Sequence, residues 1–141
     1  MRVLVVGDTE VAVQVALGLR RVGAEVTVVD ADGRRAGGLG AAAPPVVVGD
    51  PLVPSVLERA GVLRADAVAC CAATDEENLV VSLLAKRRFG VRRVIASVNE
   101  PANQSLFDDR WGVDQMVSPA SALITLISRA ESGAGHAPDG G

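Results

Sequence analysis

Hydrophobic positions along this chain fall into two alternating rhythms. Short Val-rich runs of three to six residues are followed by longer stretches in which apolar residues recur every three or four positions. The first kind reads as buried strand and the second as amphipathic helix. Strands are predicted over Arg2–Val6, Glu25–Val29, Val46–Val48, Ala67–Ala72, Arg93–Val98 and Gln115–Val117. Helices are predicted over Glu10–Val22, Arg34–Ala42, Ser55–Ala60, Glu76–Phe89, Asn103–Arg110 and Pro119–Ala130.

Punctuation between the runs supports these bounds. Gly23 and Gly61 stand where helices should stop, and Pro54 and Pro119 stand at first-turn positions. Thr74 and Glu77 have the spacing of a capping box, in which the Thr hydroxyl accepts from the backbone N–H three residues on. The helix at 34–42 is expected to be short, because Gly37, Gly38 and Gly40 weaken it. Strict alternation of strand and helix predicts an α/β fold: a Rossmann-like, doubly wound parallel sheet of six strands in a single domain, residues 1–130. The Gly- and Pro-rich tail, 131–141, is expected to be disordered.

Composition narrows the class. Of 141 residues, 49% are hydrophobic but only 2% aromatic, so the core is aliphatic, as a sheet covered on both faces requires. The formal net charge of −3 gives no electrostatic reason to expect nucleic acid as a partner. No apolar run approaches the roughly 20 residues that span a bilayer. No signal peptide is visible, and Cys70 and Cys71 are adjacent and unable to staple distant elements, so a cytoplasmic location is expected.

In doubly wound sheets ligands bind beyond the carboxyl ends of the strands, where the winding reverses. The first strand ends there, in Gly7-Asp8-Thr9-Glu10-Val11-Ala12. Against G-x-G-x-x-G/A, Gly7 and Ala12 fit, while Thr9 replaces the glycine that lets the backbone approach a pyrophosphate. The Thr9 hydroxyl could instead donate to a phosphate. Asp8 and Glu10 place carboxylates at a helix N-terminus, where they either complement the dipole or compete with phosphate. Asp30 closes the second strand, where an acidic residue accepts from ribose hydroxyls and disfavours a 2′-phosphate. It could equally be the turn residue of Asp30-Ala31-Asp32-Gly33.

These landmarks, taken in order, resemble the TrkA-N domain family, also called the RCK N-terminal domain. They are Val28-Val29-Asp30, then Val48-Gly49-Asp50 with Val56–Gly61, then Ala65–Val68, Thr74–Asn78, Val98–Pro101 and Gly112–Asp114. The resemblance implies a cytosolic regulatory subunit of a potassium (cation) transport system. It implies binding of NAD(H) or an adenine nucleotide (ATP or ADP), and gating of a membrane transporter or channel subunit through rearrangement of a homodimer or larger ring. The implied nucleotide-binding residues are Gly7, Asp8, Thr9, Glu10, Val11, Asp30, Gly49, Asp50, Ala73, Thr74 and Asn78; no catalytic or metal-binding residue is implied. Asn78 is the one member of the Thr74–Asn78 stretch with no local explanation. Where the family often has an arginine in the fifth strand, this chain has Ser97, which leaves Arg34 and Arg35 as the nearest cations for a phosphate.

Two alternatives have their own sequence support. A degenerate scaffold that has lost its nucleotide and acts as an interaction subunit would explain Asp8, Thr9 and Ser97 together. A small NAD-dependent oxidoreductase fits poorly: there is no Tyr, the only His is His136 in the tail, and the only lysine, Lys86, lies in a basic run. The last helix, 119–130, is the expected dimer element, because Ala120, Leu123, Ile124 and Ile127 form one apolar stripe while Ala122, Leu126 and Ala130 form another.

Overall fold

The computed structural model describes residues 1–33 and 40–133. Within them, six parallel strands form one sheet: β1 Arg2–Val6, β2 Glu25–Asp30, β3 Val46–Val48, β4 Ala67–Cys70, β5 Arg93–Ser97 and β6 Gln115–Val117. Their order is β3-β2-β1-β4-β5-β6, the doubly wound arrangement expected. The winding reverses between β1 and β4, whose register pairs Val6 with Cys70.

Alternate residues of each strand feed different cores. Leu4, Val6, Val29, Val68, Cys70, Val94 and Ala96 pack on one face with Leu57, Leu79, Val81 and Phe107. Val3, Val5, Val26, Val28 and Cys71 pack on the other with Ala12 and Ala16. Cys70 and Cys71 therefore point to opposite faces, as the two-residue period of a strand demands.

Among the described residues, four α-helices connect or follow the strands: α1 Glu10–Arg21, α2 Pro54–Arg59, α3 Asp75–Leu83 and α4 Pro119–Gly133. Two departures from the predicted elements have visible structural causes. The stretch expected to be a helix over 103–110 is instead two 3₁₀ segments, Pro101–Leu106 and Asp109–Trp111. Asp108 between them is extended, and its carboxylate caps the Arg110 N–H, so it starts a new turn rather than continuing the old one.

The helix expected through Phe89 changes at Leu84–Arg88 into a widened π turn. Gly112, with φ +77, approaches so closely there that a Cβ would lie 2.7 Å from the Ser82 carbonyl oxygen and 2.8 Å from Lys86 Cβ. Of the predicted helix at 34–42, Gly40–Ala42 form a 3₁₀ turn and residues 34–39 lie outside the described residues. The last helix continues to Gly133, three residues into the stretch expected to be disordered; residues 134–141 lie outside the described residues.

Among the described residues, no helix is long and apolar enough to cross a membrane.

Candidate functional site

The turn after β1 is held from within the protein. Gly7 has φ +145, and a Cβ there would overlap the Cys71 carbonyl, so glycine is required by the close approach of β1 and β4. The Thr9 side chain caps α1 by accepting from the Ala12 N–H (3.1 Å), and its hydroxyl donates to the Cys71 carbonyl (2.7 Å). Both of its bonding directions serve the fold. Glu10 accepts from Gln14 Nε2 along α1, and the exposed Val11 lines the apolar side of the sheet rather than the strand ends.

Across the switch point, Gly7 and Asp8 face Val29, Ala31, Pro51, Ala73 and Glu77 around a small cleft of about 110 Å³. Small-molecule sites start at about 300 Å³, so this cleft encloses only part of a nucleotide. Asp30, between the lining residues Val29 and Ala31, is 2% exposed, and its carboxylate accepts from the Asp32 N–H (3.0 Å), the turn geometry that its sequence context allowed. Gly49 follows β3 against Val56, and the exposed Asp50 accepts from the Leu52 N–H (2.9 Å).

The electrostatics of the cleft are acidic. Glu77 is half-buried, and burial raises its pKa above the ordinary carboxylate value; the negative charges of Asp8 and Asp50 raise it further. Glu77 was no part of the expected ligand set, because only folding brings it opposite Asp8. Arg34 and Arg35, expected as the nearest cations, lie outside the described residues. Ser97 donates no charge: its side chain borders the apolar groove on the α1 side of the sheet.

Thr74 caps α3 by accepting from the Glu77 N–H (3.3 Å), as its spacing predicted. Asn78 is fully buried, and all its side-chain bonds go to backbone. Its Oδ1 accepts from the Ala72 N–H (2.8 Å), and its Nδ2 donates to the carbonyls of Ala72 (3.2 Å) and Ser97 (3.0 Å). Asn78 thus ties the carboxyl ends of β4 and β5 together, a role its sequence context did not show.

Asp75 does similar work for the next loop. Burial opposes its ionisation, but hydrogen bonds from Asn103 Nδ2 (2.9 Å), the Asn99 N–H (2.6 Å) and the Glu100 N–H (2.9 Å) outweigh it and hold the carboxyl below its ordinary value. Both cysteines are buried, which pushes Cys70 up to about 12 and Cys71 up to about 11, so neither is a nucleophile at neutral pH. Among the described residues, no group of three or more metal-ligating side chains converges.

Known proteins share this architecture. The E. coli inner membrane protein ybaL has a TrkA-N domain whose crystal structure superposes with a TM-score of 0.78 at 15% identity, covering 92% of this chain and 95% of that one. The ADP-bound GsuK structure superposes with a TM-score of 0.77 at 22% identity, over 91% of this chain and 33% of that one, and the GsuK channel has also been solved with NAD. In sequence, the chain is 39% identical over 133 residues to the Trk system potassium uptake protein TrkA of Mycobacterium tuberculosis, a match covering 92% of this chain. It spans 59% of that relative's length. The TrkA-N domain model matches residues 3–119, nearly the whole sheet and every landmark described above: the chain belongs to the TrkA-N domain family.

Proposed function

We propose that this chain is a nucleotide-responsive regulatory domain of a potassium (cation) transport system, working at the cytoplasmic face of a membrane. It binds NAD(H) or an adenine nucleotide and passes that state to a membrane transporter or channel subunit. The observation that carries the reading is the cleft at the switch point, where Gly7, Asp8 and Ala73 meet beside the buried Asp30 in a TrkA-N chain. The printed names of its relatives, a Trk potassium uptake protein and a GsuK channel solved with NAD and with ADP, support the ligand and partner classes. Asp30 receives ribose hydroxyls, with Asp50 at the neighbouring strand end and Gly7, Asp8 and Ala73 along the phosphate side. No catalytic group is assigned.

The domain acts as a homodimer or larger ring through α4. Every residue from Ala122 to Arg129 is exposed, and Leu123, Ile124, Leu126 and Ile127 are 58–66% exposed, so neither apolar stripe of this helix is covered by its own sheet. An apolar groove of about 370 Å³, lined by Val11, Val15, Leu19 and Ile95, opens beside Pro119 at the helix base. Light scattering at micromolar concentration is expected to report a dimer or larger species; a monomer refutes this part.

A second reading is favoured by the bonding of Thr9 and the crowding of Asp8, Asp50 and Glu77: the fold persists as an interaction scaffold without nucleotide. Calorimetric titration with NADH, NAD, ATP and ADP separates the two. Micromolar binding of any one supports the sensor, and binding of none supports the scaffold. In the latter case Asp8→Asn with Glu77→Gln tests whether carboxylate repulsion was the cause.

A further inference from the structure

The two ends of the sheet carry opposite charge. Asp8, Asp30, Asp50, Asp75, Glu76 and Glu77 gather at the carboxyl end, around the cleft. At the amino end, Arg21, Arg64, Arg87, Arg88, Arg92 and Arg93 close α1, precede β4, end the π turn and open β5. Glu25, Asp66 and Asp114 also lie at this end, bonded to Arg2, the Arg2 N–H and Lys86, and the further arginines leave it basic in a chain whose net charge is −3. Short contacts hold much of it as one surface: Lys86 Nζ donates to the Arg92 carbonyl (2.9 Å) and pairs with Asp114 (2.7 Å), while Arg87 donates to the Asp109 carbonyl (2.7 Å).

Helix dipoles account for cations at the last turns of α1 and the π turn. They do not account for Arg92 and Arg93 at the start of a strand. Nor do they account for Arg92 being exposed with no carboxylate at ion-pair distance among the described residues.

Two exposed apolar side chains share this end. Val22, just past α1, is 79% exposed, and Leu63, in the 3₁₀ turn Val62–Arg64, is 68% exposed. They exceed every other large apolar side chain described, including those of α4. Neither turn requires an apolar residue, and each tip has an arginine as its immediate neighbour, Arg21 and Arg64. Arg64 and Gly61 line a shallow cleft with Arg2 and Glu25, which places the Leu63 turn beside the amino ends of β1 and β2, where the Val22 turn arrives.

We propose that the amino end of the sheet rests on an anionic phospholipid surface. Arg87, Arg88 and Arg92 meet the lipid phosphates, and Val22 and Leu63 dip into the boundary between headgroups and acyl chains. An acidic protein would match the arginines alone. Two isolated aliphatic tips on separate turns, each flanked by arginine, match the layered polarity of a bilayer. In this orientation the acidic cleft points away from the membrane and stays open to solvent.

Flotation of the purified chain with vesicles tests the proposal. Binding is expected to vesicles of phosphatidylglycerol and phosphatidylcholine at about 0.1 M salt, with loss at several times that ionic strength and none to phosphatidylcholine alone. Combined Arg87→Glu, Arg88→Glu and Arg92→Glu should lower the partition coefficient roughly a hundredfold or more. Val22→Ser with Leu63→Ser should lower it roughly tenfold, with circular dichroism unchanged because both sites are exposed. Glu76→Gln, at the opposite end, should leave it unaltered. No binding to the phosphatidylglycerol vesicles, equal binding to phosphatidylcholine, or indifference to the triple charge reversal overturns the proposal.

Discussion

Replacing Asn78 with leucine separates a positioning residue from a ligand contact. Leucine keeps the branched heavy-atom skeleton, though it is bulkier, and removes one acceptor and two donors. The Ala72 N–H loses its 2.8 Å partner, and the Ser97 carbonyl loses its 3.0 Å donor; the Ala72 carbonyl keeps Asn99 Nδ2 at 3.1 Å. Three hydrogen bonds at about 1 kcal/mol net, with about 1–2 kcal/mol more for the orphaned buried N–H, give a loss of about 4 kcal/mol. That is a large part of the roughly 5–15 kcal/mol by which a domain is stable. With a urea m-value of about 2 kcal/mol/M, the midpoint should fall by about 2 M at unchanged m, followed by far-ultraviolet circular dichroism. A residue whose business was a ligand would show the reverse: normal urea stability and lost nucleotide binding. A midpoint change corresponding to less than about 1 kcal/mol refutes the assignment of Asn78 as the tie between β4 and β5.

Three further outcomes follow from the same contacts. Thr9→Val should lose about 2 kcal/mol in urea melts, through the α1 cap and the bond to the Cys71 carbonyl, while Thr9→Ser stays within about 0.5 kcal/mol; equal losses would show that the hydroxyl is not the cause. Asp75 has a native pKa below its unfolded value, so its stabilisation is complete above about pH 5 and is lost as pH falls through about 4 and below. Asp75→Asn should therefore be less stable than the parent at pH 7, with the gap narrowing in acid, and a constant gap would contradict this. Cys70 and Cys71, raised by burial to about 12 and about 11, should resist a thiol reagent at pH 8 until the chain unfolds. Rapid native labelling of either would show that the thiols are not sealed.

How much of this was legible in advance depends on the range of the physics. Short, mostly Val-rich apolar runs located all six strands, and the right-handed crossovers of a parallel sheet then leave few topologies. The capping box at Thr74 was readable because its partners lie three residues apart. The helix over 103–110 was misread because its periodicity carried no sign that Asn103 would turn to Asp75 or that Asp108 would restart the turn. The π turn at Leu84–Arg88 was equally hidden, since the glycine that presses on it, Gly112, is far away in sequence.

The glycine turn where a nucleotide was expected shows the division most clearly. By itself the sequence determined that a strand ends at Val6, that a tight turn follows at Gly7, and that Asp30 closes the next strand. It determined these because backbone periodicity and glycine stereochemistry are local. Only the tertiary structure decided that Gly7 answers to the Cys71 carbonyl, that the Thr9 hydroxyl is bound there too, and that Asp8, Asp50 and Glu77 converge on one cleft. Those contacts join residues up to 69 positions apart, from Asp8 to Glu77. Their partners become neighbours only when β1 and β4 pair at the switch point, which no window of sequence contains.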